Sequence, residues 1–159
     1  MNIRVGFGYD VHRLKPGRKL VLGGITVKSD KGVIAHSDGD VLIHAICDAL
    51  LGGANLRDIG YHFPDTSEEF KNIDSKILLD RTVKLIHKYG YTVGNIDSTI
   101  CLERPKINNL IPEMQKSLAN TIGTEIENIS IKATTAERLG FIGKEEGIAV
   151  YSVALIVKT

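Results

Sequence analysis

The first apolar residues of the chain alternate. Ile3, Val5 and Phe7 are separated by polar or small positions, the period of a half-buried strand. The stretch 20–27 is almost wholly apolar but is split by Gly23-Gly24, which predicts two short strands around a turn. The period then changes. Val41, Leu42, Ala45, Ile46, Ala49 and Leu50 recur three and four residues apart, predicting a helix that Gly52-Gly53 ends. Ser37 and Asp38 both suit its N-cap. A polar loop, 57–70, leads to a second helix over 75–88, with Ile77, Leu78, Val83, Leu85 and Ile86 as its apolar set and Gly90 as its stop. Residues 91–102 alternate and are rich in β-branched side chains, predicting a long strand. A third helix is expected over 110–122, and strands over 129–133 and 148–157. No repeat and no linker interrupts this order. The expected class is α/β (α+β), a single domain over residues 1–159 with helices packed on one face of a mixed sheet.

Composition narrows the function. In 159 residues, 43% are apolar and 25% charged, and the net charge is +1. That is an ordinary folded domain, without the basic excess of a nucleic-acid binder. Cys47 and Cys101 lie outside any CxxC pattern and read as buried, reduced thiols. The N-terminus has no charged region followed by an apolar one, and the longest apolar run is far short of the roughly twenty residues of a membrane span. The expectation is a cytoplasmic protein, organellar only where a leader has been removed, that engages neither nucleic acid nor membrane.

Three places carry chemistry. In Asp10-Val11-His12 the outer two residues of an extended segment point to the same side. His44 interrupts the apolar face of the first helix. Two histidines and a carboxylate suit an open zinc site, although each piece alone reads more readily as a surface pair or a hydrogen-bonded core histidine, and only the combination favours the metal. His36-Ser37-Asp38-Gly39-Asp40 precedes the same helix. Its aspartates read as caps or as part of an anion site at the helix end, and His36 and Ser37 as anion-binding residues or as supports for a neighbouring ligand. Lys132-Ala133-Thr134-Thr135-Ala136-Glu137 follows a strand. It reads either as a phosphate- and cation-binding turn or as a Thr-x-x-Glu helix cap.

Taken together and in order, these segments resemble the 2-C-methyl-D-erythritol 2,4-cyclodiphosphate synthase family. The match runs through Gly8-Tyr9-Asp10-Val11-His12, Ala35 to Asp40, His44, Asp48 to Gly52, Asp58-Ile59-Gly60, Phe63 to Thr66, Lys132 to Thr135, Glu137 and Leu139-Gly140-Phe141, and covers essentially the whole chain. The resemblance implies a homotrimer with active sites at subunit interfaces. It implies one zinc per subunit on Asp10, His12 and His44, and a Mg²⁺ or Mn²⁺ that Glu137 helps to hold on the substrate diphosphate. His36 and Thr135 would flank the reacting phosphates. Asp58, Ile59, Gly60, Phe63, Pro64, Asp65, Thr66 and Ser67 would shape the methylerythritol pocket, with Val11 and Ser37 beside it. Leu102, Glu103, Arg104, Pro105, Lys106, Ile107 and Asn108 would line the cytidine pocket with Thr134, Thr135 and Ala136. Phe141 and Lys144 would complete the set.

The implied reaction is that of a cyclising phosphorus–oxygen lyase of the non-mevalonate isoprenoid pathway. The 2-phosphate of a CDP-linked methylerythritol attacks the β-phosphorus of the CDP unit and CMP leaves. Such a transfer needs alignment and charge neutralisation rather than a strong base. Three positions depart from the family pattern. Ser67 stands where aspartate is frequent, Lys144 where arginine is common, and Glu145 where glycine is frequent. Lysine lacks the bidentate fork of arginine. Two other classes use the same residues: a zinc-dependent phosphoesterase, and a non-catalytic trimeric protein that binds isoprenoid diphosphates or nucleotides.

Overall fold

In the computed structural model, which describes residues 2–159, the alternation that starts at Ile3 runs on to Pro16 as one strand, β1 (Ile3–Pro16). The apolar beat of Val5, Phe7, Tyr9 and Val11 lies on the outward side, while the inward positions Gly6, Gly8, Asp10 and His12 carry no apolar side chain before Leu14. A short hairpin follows, β2 (Leu20–Leu22) and β3 (Ile25–Val27), then β4 (Lys31–Val33). Next come α1 (Val41–Gly53), a single turn α2 (Ile59–His62) inside the segment expected to be loop, and α3 (Ser75–Lys88). The chain ends with β5 (Tyr91–Cys101), α4 (Ile111–Ile122), β6 (Ile129–Thr134), a short α5 (Gly140–Gly143) and β7 (Gly147–Lys158).

The main sheet has five strands in the order β4-β1-β7-β5-β6. β7 lies antiparallel between β1 and β5, and β5 pairs with β6 in parallel. A parallel pair needs a crossover, and α4 supplies it. The sheet is therefore mixed, as expected, with helices covering one of its faces.

Helix α1 is the centre of the core. Val41, Leu42, Ile43, Ala45, Ile46, Cys47, Ala49, Leu50 and Leu51 are all fully buried. Within this run only His44 and Asp48 are partly exposed, four residues apart and so on one face. The helix lies unusually close to β1. A Cβ on Gly6 would stand 1.8 Å from the carbonyl oxygen of Ala49, and one on Gly8 1.9 Å from that of Ala45. These two glycines thus let backbone meet backbone, and that approach brings the end of β1 alongside His44.

The N-cap of α1 is Asp40, not Ser37 or Asp38. Its fully buried carboxylate accepts from the amide of Ile43 at 3.0 Å, and also from those of Gly23 at 3.0 Å and Gly24 at 2.7 Å. One side chain thereby caps the helix and holds the hairpin turn. Burial pushes its carboxyl up to about 6 against these bonds.

The opposite face of the sheet is uncovered and apolar. Val5, Phe7, Tyr9 and Val11 of β1 and Tyr151 and Val153 of β7 are exposed there, with Tyr9 and Tyr151 rings 5.1 Å apart. No helix among the described residues is long and apolar enough to cross a membrane. Cys47 and Cys101 are free; Cys47 is buried and its thiol is pushed up to about 12 by burial, while Cys101 is only half-buried.

Candidate metal centre and active-site cleft

Asp10 and His12 share one side of β1 and meet His44 from α1. The ligating atoms form a tight triangle. Asp10 Oδ2 lies 3.0 Å from His12 Nε2 and 3.1 Å from His44 Nδ1, and the two ring nitrogens are 3.2 Å apart. Among the described residues this is the one cluster of three such side chains close enough to share a metal ion. Zinc bonds of about 2.0–2.2 Å at tetrahedral angles put neighbouring ligand atoms roughly 3.3–3.5 Å apart, so the triangle is near the size the ion requires.

The hydrogen bonds around His44 make the same point. Its Nε2 lies 2.9 Å from the hydroxyl of Ser75 and 3.2 Å from that of Ser37. The Ser75 hydroxyl donates to the carboxylate of Asp38, so it accepts from His44. That assigns the proton to Nε2 and leaves the lone pair of Nδ1 aimed into the triangle. Three lone-pair donors facing one point fit a dication, and the residues present suit zinc by type and by number with a fourth position open. Burial works against the ionised form of Asp10, but the imidazoles of His12 and His44 beside it outweigh that and bring the carboxyl down to about 2. Burial likewise opposes charge on His44, whose pKa is nevertheless raised by the Asp10 carboxylate.

The triangle opens into a cavity of about 450 Å³ that is also lined by Ala35, His36, Ser37, Ile59, Gly60, Phe63, Asp65, Phe70 and Leu78. His36 Nε2 donates to the carbonyl of Ser67 at 2.9 Å and so ties the loop after α2 to the segment before α1. The side chain of Asp58 caps Tyr61 at 2.9 Å, and Asp48 accepts from the amide of Ile59 at 2.7 Å. The cavity wall is thus anchored to α1. Near the start of α1 the amides of Asp38, Gly39, Asp40 and Ile43 already have partners. Of the segment that precedes α1, the side chains of His36 and Ser37 are what faces the cavity.

The remaining expected residues lie elsewhere in the chain. Leu102, Pro105, Lys106, Ile107, Asn108, Thr134 and Thr135 line a separate cleft with Ala133. Glu103 accepts from the amide of Ala136 at 3.1 Å. No helix starts at Thr134; the hydroxyl of Thr135 instead closes a turn on the amide of Glu137, and Glu137 adopts a positive φ of 51°. Glu137 stands outside the metal-binding triangle. Phe141 packs over Gly147, where an added Cβ would meet its ring at 2.8 Å. Lys144 caps α5. Pro64 and Thr66 belong to the same loop as Asp65, next to the cavity. Val11, between two cavity-facing residues, projects to the uncovered face of the sheet. Ser75, Asp38 and Asp48 support the site without having been singled out for that role. Their contacts span 11 to 37 residues, so no local spacing reveals them.

A small α+β fold in which two histidines and one carboxylate converge at a cleft of mixed polar and apolar lining defines a candidate metal-binding class of protein. Comparison with known proteins names the family. Residues 3–157 match the model of the YgbB family. A 2-C-methyl-D-erythritol 2,4-cyclodiphosphate synthase from Bacteroides thetaiotaomicron is 63% identical over 158 residues, covering 99% of each chain. Two solved structures are similar. The bifunctional IspDF from Campylobacter jejuni matches with a TM-score of 0.95 and 41% identity, over 99% of this chain and 42% of that one. An IspF from Plasmodium falciparum, in complex with CDP, matches with a TM-score of 0.87 and 34% identity, over 100% of this chain and 99% of that one. The chain belongs to the YgbB family, that of the 2-C-methyl-D-erythritol 2,4-cyclodiphosphate synthases.

Proposed function

We propose that the protein, as one cyclodiphosphate synthase domain over residues 1–159, converts 4-diphosphocytidyl-2-C-methyl-D-erythritol 2-phosphate to 2-C-methyl-D-erythritol 2,4-cyclodiphosphate and CMP. The observation that carries this reading is the Asp10–His12–His44 triangle opening into the cavity of His36, Gly60 and Asp65, in a chain 63% identical to a synthase of that name. In the reaction an oxygen of the 2-phosphate forms a bond to the β-phosphorus of the CDP unit. The bond from that phosphorus to the bridging oxygen breaks, and CMP leaves with the electron pair. The attacking phosphate is already anionic at neutral pH, so no residue has to act as a strong base.

Asp10, His12 and His44 hold zinc in this reading, and Glu137 contributes to a Mg²⁺ or Mn²⁺. When bound, such ions act as Lewis acids that offset phosphate charge and orient it. The chain's own residues do the rest. Asp65, on the loop that His36 fixes, binds the methylerythritol hydroxyls. His36 and Thr135 flank the reacting phosphates and stabilise charge as it moves. The segment 102–108, with Lys106, Thr134 and Thr135, holds the cytidine, a reading supported by the CDP carried by the similar Plasmodium structure. The residues read as metal ligands and those read as the cytidine pocket line separate clefts of one chain. That separation, with the uncovered apolar face, supports a homotrimer in which each site combines two subunits.

Metal analysis combined with a CMP-release assay tests the reading. The parent protein is expected to hold one zinc per chain. His44→Ala is expected to lose the zinc and slow CMP release by at least about a hundredfold. Zinc unchanged in His44→Ala refutes the ligand assignment.

A further inference from the structure

The turn between α5 and β7 contains a residue ill suited to its backbone. Glu145 has a φ of 58°, in the left-handed region that favours glycine and is uncommon for a residue such as glutamate. The turn does not need that side chain to form. The amide of Glu145 donates to Ile142 and that of Glu146 to Phe141, both at 2.9 Å, and a glycine would leave both bonds in place. What glycine lacks is the carboxylate, and here both oxygens are used. Arg104 Nη2 reaches Oε2 at 3.0 Å while its Nε meets Oε1. A backbone outlier kept where a less strained residue would fit points to a task for the side chain.

Arg104 belongs to the segment that leaves β5 and lines the nucleotide cleft through Leu102, Pro105, Lys106 and Ile107. At one end the segment is fixed by the amide of Leu102 on the carbonyl of Thr134 at 3.0 Å, and at the other by Leu110 on Ile107 at 2.9 Å. Between them its anchors are side chains: Glu103 on the amide of Ala136, and Arg104 on Glu145. The side chain of Arg104 is 76% exposed and that of Glu145 only 21%, so the carboxylate is the fixed member of the pair. The backbone of the turn is fixed further by Lys31, whose ammonium donates to the Glu145 carbonyl at 3.0 Å. The hydrogen bonds from Arg104 hold the Glu145 carboxyl below the usual carboxylate range.

We propose that Glu145 is a positioning residue for the nucleotide cleft: through its bidentate grip on Arg104 it holds the segment 102–108 in the shape that receives the nucleotide. The inference rests on the reading of that cleft as the cytidine pocket. It assigns the strain at Glu145 to pre-ordering of a loop, which lowers the ordering cost of binding.

The test replaces Glu145 by glycine and titrates the protein with CMP by calorimetry. Glu145→Gly relieves the backbone, so its thermal midpoint is expected to equal or exceed the parent's. Its dissociation constant for CMP is expected to rise about five- to tenfold, and KM for the CDP-linked substrate to rise with it while kcat changes little. Arg104→Ala in the Glu145→Gly background is expected to add less than it does in the parent, since both act through one contact. Unchanged CMP affinity and KM in Glu145→Gly, or full additivity with Arg104→Ala, overturns the inference. A parent protein that binds no CMP overturns the cytidine reading instead.

Discussion

His44 presents Nδ1 to its neighbours because its other nitrogen is already committed. The relay from Asp38 through Ser75 to His44 Nε2 sets the tautomer, and a ring so held keeps its lone pair aimed at one point. Ser75 is fully buried, so its hydroxyl has no water to fall back on. Removing it as Ser75→Ala is expected to weaken zinc binding about 10–100-fold with the fold retained; chelator competition gives the number, and parental affinity would mean that the relay does not orient the ligand. At this scale the sequence is legible where contacts are local. Asp10 and His12 are two apart in an extended segment, and that spacing alone puts them on one side. Ser75 is 31 residues from its partner and follows Asp74, the N-cap of α3, a place where a serine ordinarily serves only the helix end. Asp40 shows the converse. A residue with two local readings, cap or anion site, proves to be a cap, and its carboxylate also serves a hairpin turn 16 and 17 residues away.

Among the elements, the contact between β1 and α1 matters most, since it brings Asp10 and His12 against His44. Its closeness depends on glycine. Gly8→Ala puts a methyl group inside the van der Waals radius of the Ala45 carbonyl oxygen, with backbone on both sides and no flexible side chain to yield. We expect a loss of about 3 kcal/mol or more in denaturant unfolding, and a weaker zinc site in whatever still folds, because strand and helix must separate. A variant as stable as the parent contradicts the packing described. Helices α1, α3 and α4 are legible from their periodicity, although in α3 Ile77 of the expected apolar set is exposed and Leu79 is buried instead. The second half of β1 is not legible. Its inward positions begin with Asp10 and His12, and Arg13 and Lys15 follow Val11 on the outward side, so the alternation of apolar and polar gives little signal there. The single turn α2 is equally hidden; it is too short for periodicity and is held by Asp48 from another helix.

The molecule as a whole has a covered and an uncovered side. On the uncovered side, Phe7, Tyr9, Val11, Tyr151 and Val153 form an apolar surface across β1 and β7, the kind of patch that marks an interaction surface. The near-neutral charge means that no broadly basic surface is available to meet a phosphate-rich substrate. A trimer that buries this face and joins the metal half of one subunit to the nucleotide half of the next predicts complementation. Mixed and reassembled, inactive His44→Ala and Lys106→Ala chains should regain about a quarter of the parent's turnover, because one junction in four pairs two intact halves. No recovery in mixtures shown by mass to be heterotrimers contradicts the shared site.

The central claim is that this chain closes a ring rather than hydrolysing a phosphate ester. Phosphorus NMR of the reaction mixture tests it most directly, with the CDP-linked 2-phosphate as substrate and zinc and Mg²⁺ present. Resonances of a cyclic diphosphate appearing in step with those of CMP are the predicted result. CDP or inorganic phosphate as the only products, with no cyclic diphosphate, would contradict it.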